Sequence, residues 1–289
     1  MLTMMKHEKF CAFILTHGRA DRVYTYKSLR KSGYTGAIVL LVDNEDKTVE
    51  DYRKTFGAQV YVFDKKYWAT QTDEGDNFDD RRAIIYARNA NFSIAQELGY
   101  EYFIQLDDDY TDFRHKKNHK DEYVDKKILN LDAVFDAMLE YYKSIPALSI
   151  AMAQGGDFVG GKMGNAWKKP KRKAMNTFIC SVHRPFKFFG KVNDDVTTYT
   201  TLGSRGHLFL TLMNLAIQQK QTQQNKGGMT ENYKDNGTYV KSFYSVMFHP
   251  SSVRVSVLNS KNSRIHHQIT WRNTVPRILS EDYKKKATS

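Results

Sequence analysis

The segment Tyr102-Phe103-Ile104-Gln105-Leu106-Asp107-Asp108-Asp109-Tyr110 is an apolar run that stops at three consecutive carboxylates. Carboxylates this close repel one another unless a cation or water compensates them. A hard divalent ion is the simplest remedy. Held by only one or two carboxylates, Mg²⁺ or Mn²⁺ keeps coordination positions free for a diphosphate, as transfer from a nucleotide sugar requires. The other reading of such a cluster is an Asp-rich turn on a solvated loop. The strand-like run in front of it favours the metal.

Other polar groups fall at the ends of similar runs. Phe10 to Leu15 leads into Thr16-His17-Gly18-Arg19-Ala20-Asp21, where Gly18 permits a tight turn and Arg19 is long enough to reach a phosphate. Ala37 to Val42 ends in Asp43-Asn44-Glu45-Asp46, whose carboxylate or amide suits a uracil or a ribose. Gln59 to Phe63 ends in Asp64-Lys65. Asp21 and Asp46 are also well placed as helix N-terminal acids, and Lys65 as a solvated lysine. Thr16, Arg19 and Asp43 are the stronger binding candidates.

These runs must be strands for the polar groups to converge, and the intervening patterns support that. Asp21 to Lys31, Asp46 to Phe56 and Asp79 to Leu98 read as helices ending at Gly33, Gly57 and Gly99. The first 110 residues therefore predict β-α-β-α-β-α-β, an α/β fold with a mostly parallel sheet flanked by helices and ligands at the strand carboxyl ends. On the third helix Arg81, Arg82, Arg88 and Asn89 follow one another. Arg81 and Arg88 lie two turns apart, so one helix face would direct both toward a diphosphate, with ion pairs to Asp79 and Asp80 as the alternative.

From residue 111 onward the alternation is lost. A charged stretch from Thr111 to Lys127 precedes a helix from about Leu129 to Tyr142. Strands are predicted at Leu148 to Ala153, Thr177 to Val182 and His207 to Leu212, and a helix at Tyr239 to Met247. The chain reads as one domain over 1–289, with 1–110 binding the nucleotide sugar and a mixed part, 111–289, binding the acceptor.

Two constellations in this second part bear on chemistry. Phe188-Phe189-Gly190-Lys191-Val192-Asn193-Asp194-Asp195-Val196 again brings an apolar run to paired carboxylates, ahead of a helix. Asp195, or else Asp194, is the candidate general base that takes the proton of an acceptor alcohol. Helix capping by Asn193 or Asp194 is the plainer role. In Ile265-His266-His267-Gln268-Ile269-Thr270-Trp271 a neutral imidazole is available to complete a metal shell, and at most one of His266 and His267 should face the site.

The chain of 289 residues has 44 Lys and Arg against 32 Asp and Glu, a formal charge of +12, so a polyanion is a reasonable partner. The distribution sharpens this: Trp167-Lys168-Lys169-Pro170-Lys171-Arg172-Lys173 sets five cations beside an indole, after a Gly-rich segment. It reads as a mobile loop whose Lys168, Lys169, Lys171, Arg172 and Lys173 grip phosphates while Trp167 offers a face to an unstacked base. Ordinary globular composition excludes wholesale disorder. With no bilayer-length apolar run and no apolar signal core near the N-terminus, a soluble, cytoplasmic protein is expected. Cys11 and Cys180, both in apolar runs, are expected to be reduced packing residues.

The segments Phe13 to Val23, Gly33-Tyr34-Thr35-Gly36, Val42 to Asp46, Phe63-Asp64-Lys65, Ala87-Arg88-Asn89 and Leu106 to Asp109 closely resemble the TET/JBP-associated glycosyltransferases, which include phage enzymes and the kinetoplastid base J glucosyltransferase. Asn193 to Val196 and His266 to Trp271 extend the resemblance. It implies a GT-A fold and transfer of a sugar from a UDP-sugar, with Mn²⁺ or Mg²⁺, to the hydroxyl of a hydroxymethylated pyrimidine in double-stranded DNA. Asp107 and Asp109 would be the DxD pair and Asp195 the base. Asp108, Asn44, Asp64, Lys65, Arg88, Asn89 and the Thr16 to Arg19 turn are the further candidates for binding the nucleotide sugar. The leading expectation is glycosylation of 5-hydroxymethylcytosine in phage DNA, in the host cytoplasm, as protection from restriction nucleases. The alternatives are a transferase of this fold acting on a polysaccharide, lipid or protein, and a non-catalytic nucleic-acid-binding module.

Overall fold

The computed structural model describes residues 9–76, 79–164, 166–168, 171–219, 229–258, 264–276 and 278. Four strands, β1 (Phe10–Leu15), β2 (Ala37–Asp43), β3 (Val60–Phe63) and β4 (Tyr102–Asp107), alternate with the helices α1 (Tyr24–Lys31), α2 (Val49–Phe56), α3 (Lys65–Thr70) and α4 (Ile85–Glu97). β1 pairs in parallel with β2 on one side and β4 on the other, and β2 pairs in parallel with β3. The mostly parallel first half expected from the apolar runs is therefore present.

Side chains alternate across the sheet, and both faces are buried. Phe10, Ala12 and Ile14 pack on one side with Leu29, Tyr52 and Phe135. Cys11, Phe13 and Leu15 pack on the other with Ile85, Tyr86, Ala90 and Val196. Both cysteines are buried free thiols, as expected.

The second half extends the same sheet. It contributes β5 (Tyr110–Lys117), β6 (Tyr123–Lys127), α5 (Leu131–Ser144), β7 (Ala147–Ala153), β8 (Phe178–Ser181), α6 (Asp194–Ser204), β9 (Leu208–Gln219) and α7 (Met229–Phe248). The nine strands run in the order β3-β2-β1-β4-β8-β7-β9-β5-β6. β8 lies antiparallel against β4, and β9 pairs in parallel with β7 and antiparallel with β5. The charged stretch after Asp109 is thus a hairpin at the sheet edge, with Tyr110 and Phe113 turned into the core. A separate antiparallel pair, β10 (Val253–Leu258) and β11 (Arg264–Ile269), follows α7.

Helix starts differ most from the sequence reading. α4 begins at Ile85, not Asp79, because the residues before it bond locally: Asp80 accepts from the Arg82 N–H at 3.0 Å and from its guanidinium. Such side-chain turns compete with helix. α1 begins at Tyr24 and α2 at Val49, and Asp46 accepts from both the N–H and the hydroxyl of Thr48 (2.8 and 2.7 Å). Past the end of α1, Gly33 has φ +84°, and a Cβ there would meet the Leu129 carbonyl oxygen at 2.4 Å. Among the described residues no helix is long and apolar enough to cross a membrane.

Candidate active site

β1 sends its following chain to β2 on one side of the sheet, while its other neighbour is β4, so a crevice opens where the carboxyl ends of β1 and β4 diverge. The Thr16 to Arg19 turn and the Asp107 to Asp109 turn form its two lips. α1 fixes the acidic lip. The Thr25 N–H donates to Asp108 O at 3.1 Å, its hydroxyl donates to Asp107 O at 2.5 Å, and its Oγ1 accepts from the Tyr110 N–H at 2.9 Å.

The three acids do different things. Asp108 is buried and ties the lips together, accepting from the Thr16 hydroxyl at 2.8 Å and the Arg19 guanidinium at 2.9 Å. Tyr52 completes this tie, accepting from the Arg19 N–H at 2.8 Å with its hydroxyl 2.8 Å from Thr16 Oγ1. Arg19, read as a cation held out to a phosphate, is therefore anchored to Asp108 across the crevice.

Asp107 faces Arg88, which α4 delivers fully buried from beneath. One guanidinium nitrogen lies 3.1 Å from Asp107 Oδ1, and Nε lies 2.8 Å from Asp194 Oδ2, off line for a hydrogen bond. The rings of Phe178 and Phe188 pack over the same guanidinium, with centroids 4.9 and 5.7 Å away. Asp194 and Asp195 form the first turn of α6, entered through Asn193 at φ +59°. This brings the second acidic pair to the first.

Charge is unbalanced at this junction. Burial pushes the Asp107 carboxyl up to about 7; Arg88 pulls it down, and Asp109, Asp108 and Asp195 add to the rise. Asp194 is pushed up to about 7 by burial, with Arg88 opposing and Asp195 and Asp107 reinforcing. One guanidinium thus faces more carboxylate than it neutralises.

A second cluster sits at the ends of β2 and β3. Asp43 is buried between His17 Nδ1 at 2.6 Å and the buried Lys65 ammonium at 3.3 Å. Burial acts to raise Asp43, but His17 and Lys65 overcome it and hold the carboxyl below its usual value. The Asp43 hydrogen bond raises His17 against the opposing effect of burial. Asn44 accepts from the Lys65 N–H at 3.1 Å. The His17 side chain is 43% exposed and is the member of this cluster open to a ligand.

Several expected binding residues have structural partners instead. Asp64 caps α3 by accepting from the Tyr67 N–H at 3.0 Å. Asn89 clamps the Phe188 backbone, accepting from its N–H at 2.8 Å and donating to its carbonyl at 3.2 Å. Arg81 precedes α4 and so does not share a helix face with Arg88; it pairs with Asp79 at 2.6 Å and with Glu45 at 3.0 Å, on the rim beside Asp43.

His267 is the histidine that reaches the site, its Nδ1 3.0 Å from the Asn193 amide. The ring of His266 lies beside it, centroids 4.1 Å apart. Among the described residues no three His, Cys, Asp or Glu side chains cluster closely enough to hold a metal. The shell of Asp107, Asp109 and a histidine is thus not assembled, because β11 brings His267 onto the Asn193 cap.

Residues 10–228 match the model of the family described as TET-Associated Glycosyltransferase. The chain belongs to this family. No curated protein matches it. Among solved structures it is similar to a mannosyltransferase from Pyrobaculum calidifontis in complex with GDP-Man and Mn²⁺, at 11% identity and TM-score 0.45, covering 83% of this chain and 64% of that one. It is also similar to glucosyl-3-phosphoglycerate synthase from Mycobacterium tuberculosis in complex with Mg²⁺ and UDP, at 8% identity and TM-score 0.46, covering 90% and 87%. The chain thus spans just under two thirds of the first of these structures. With both scores below 0.5, the assignment rests on the family match.

Asp107 and Asp109 carry hard oxygens of the type that would suit a divalent ion, and the carboxylate excess around Arg88 is compatible with an added cation; an ion held by two carboxylates would take its remaining ligands from a diphosphate and water. The basic tract is only partly as expected. Trp167 is not a free face: it is buried against Tyr123 and Phe158. Packing on the β6 edge claims the ring. Lys171 and Lys173 converge on buried Asp157 at 3.0 and 2.6 Å, while Lys168 and Arg172 are exposed; Lys169 lies outside the described residues.

Sequence reasoning missed Lys191. It is buried and pairs with Glu74 and Asp76, both at 2.9 Å, beside backbone bonds from Gly190 to Asp73 and from Lys191 to Glu74. These pin the segment that delivers Asp194 and Asp195. A lysine inside an apolar run was the available signal.

Proposed function

We propose that the protein is a metal-dependent glycosyltransferase that moves a sugar from a UDP-sugar to the hydroxyl of 5-hydroxymethylcytosine in double-stranded phage DNA. The convergence of the β4 acids with Asp194 and Asp195 at one crevice carries this reading, within the family the chain belongs to.

In this reading Asp107 and Asp109 would hold Mn²⁺ or Mg²⁺, which when bound would supply positive charge at the departing diphosphate. His17, with Asp43 and Lys65 behind it, and the Thr16 to Arg19 turn bind the nucleotide. Asp195, half-buried at the positive end of α6, takes the proton of the hydroxymethyl group as its oxygen bonds to the sugar's anomeric carbon and the bond from that carbon to the diphosphate oxygen breaks. The contact of Asp194 with Arg88 supports Asp195, rather than Asp194, as the base in this reading. The formal charge of +12 supports a polyanionic acceptor.

The test is mass spectrometry of nucleosides from 5-hydroxymethylcytosine DNA incubated with the protein, Mn²⁺ and a panel of UDP-sugars, with unmodified DNA as control. One sugar added to the modified base alone is the expected result. No addition with any donor, despite metal-dependent UDP binding, overturns the DNA acceptor.

A further inference from the structure

Trp271 follows β11 in a short turn, Trp271–Asn273, and lies flat on Tyr199: the ring planes are 7° apart and the centroids 5.9 Å. Tyr199 is buried in α6, four residues beyond Asp195, so the two side chains share one face of that helix. Burial first, then the charges of Asp195 and Asp157, push the Tyr199 phenol up.

The contact is parallel and offset, and Trp271 is still 38% exposed. Arg172, exposed, donates from its guanidinium to the Trp271 carbonyl at 3.2 Å, which moors the basic tract beside the indole. A partly exposed indole and a tethered cation are what a planar base and its phosphate require. Trp167, buried, lacks the first of these.

We propose that Trp271 is the platform on which the acceptor nucleobase stacks, with Arg172 beside it for the backbone phosphate. This rests on the reading of DNA as acceptor. A stacked pair that merely fastens the β10–β11 ribbon to α6 would predict different behaviour, because it would act on stability and on every substrate alike.

The experiment compares wild type with Trp271→Ala and Trp271→Phe in sugar transfer to 5-hydroxymethylcytosine DNA, in DNA-independent UDP-sugar hydrolysis, and in quenching of tryptophan fluorescence by an oligonucleotide carrying the modified base. Stacking predicts that Trp271→Ala raises the KM for DNA by roughly tenfold to a hundredfold. The donor KM and hydrolysis should stay unchanged, and Trp271→Phe should recover most of the loss. An unchanged DNA KM in Trp271→Ala overturns the platform, as does a parallel loss of hydrolysis that Phe does not restore. If wild type glycosylates an oligosaccharide and not DNA, the acceptor reading falls. The platform is then judged by fluorescence: quenching present in wild type and lost in Trp271→Phe supports it, and its absence in wild type overturns it.

Discussion

The Nε of Arg88 lies 2.8 Å from Asp194 Oδ2 while the same guanidinium reaches Asp107 at 3.1 Å, so one buried cation joins the carboxyl end of β4 to the first turn of α6. Removing one partner of a buried ionic cluster typically costs about 3–5 kcal/mol, because the remaining charges are left uncompensated. Arg88→Gln should lower stability by that order in urea unfolding at neutral pH. Arg88→Lys should lose less, since it keeps the charge and forfeits only the fork.

Asp194 and Asp195 are neighbours with separable roles. Asp195→Asn should reduce kcat for transfer by about 10²–10⁴-fold, the usual worth of a general base, with the donor KM unchanged. Asp194→Asn leaves Arg88 with one carboxylate and should show its main effect in thermal unfolding. Equal losses of kcat in the two variants, with no change in stability, would reverse the assignment.

His17 gives a pH signature. Its pKa is raised above 6.5 by Asp43, so the stability this pair contributes is fully present below pH 6.5 and is lost as pH rises through the folded-state value. In an NMR titration the His17 ring should titrate above 6.5 in wild type, and Asp43→Asn should move it down. The same variant should flatten the decline in Tm as pH rises above that value.

Asn89 serves packing. Asn89→Ala leaves the buried N–H and carbonyl of Phe188 without their partner, at about 1–3 kcal/mol for each group. Urea unfolding should register that loss, while metal-dependent UDP binding by the folded fraction stays as in wild type. A direct loss of UDP affinity would return Asn89 to the nucleotide.

β1 to β4 and the acids at their ends were legible because strand patterning is local: Phe10 to Leu15 and Tyr102 to Leu106 announce buried strands by composition alone. The start of α4 was not, since Asp79 and Arg81 suit a first helical turn as well as the ion pairs they make. Trp167 was misread because no local pattern tells an indole in a basic tract that Tyr123 and Phe158 will enclose it.

The residue order of this chain was enough to set three carboxylates at the mouth of a parallel sheet, and a second acidic pair ahead of a helix, because periodicity and strand ends are short-range properties. It could not divide the labour among them. Alternation at the end of β4 turns Asp108 to Arg19 and Asp107 to Arg88, and long-range packing of α4 and α6 brings Asp194 to the same guanidinium. Which carboxylate is neutralised, and which stays available for an ion or a proton, follows from contacts between segments distant in the chain.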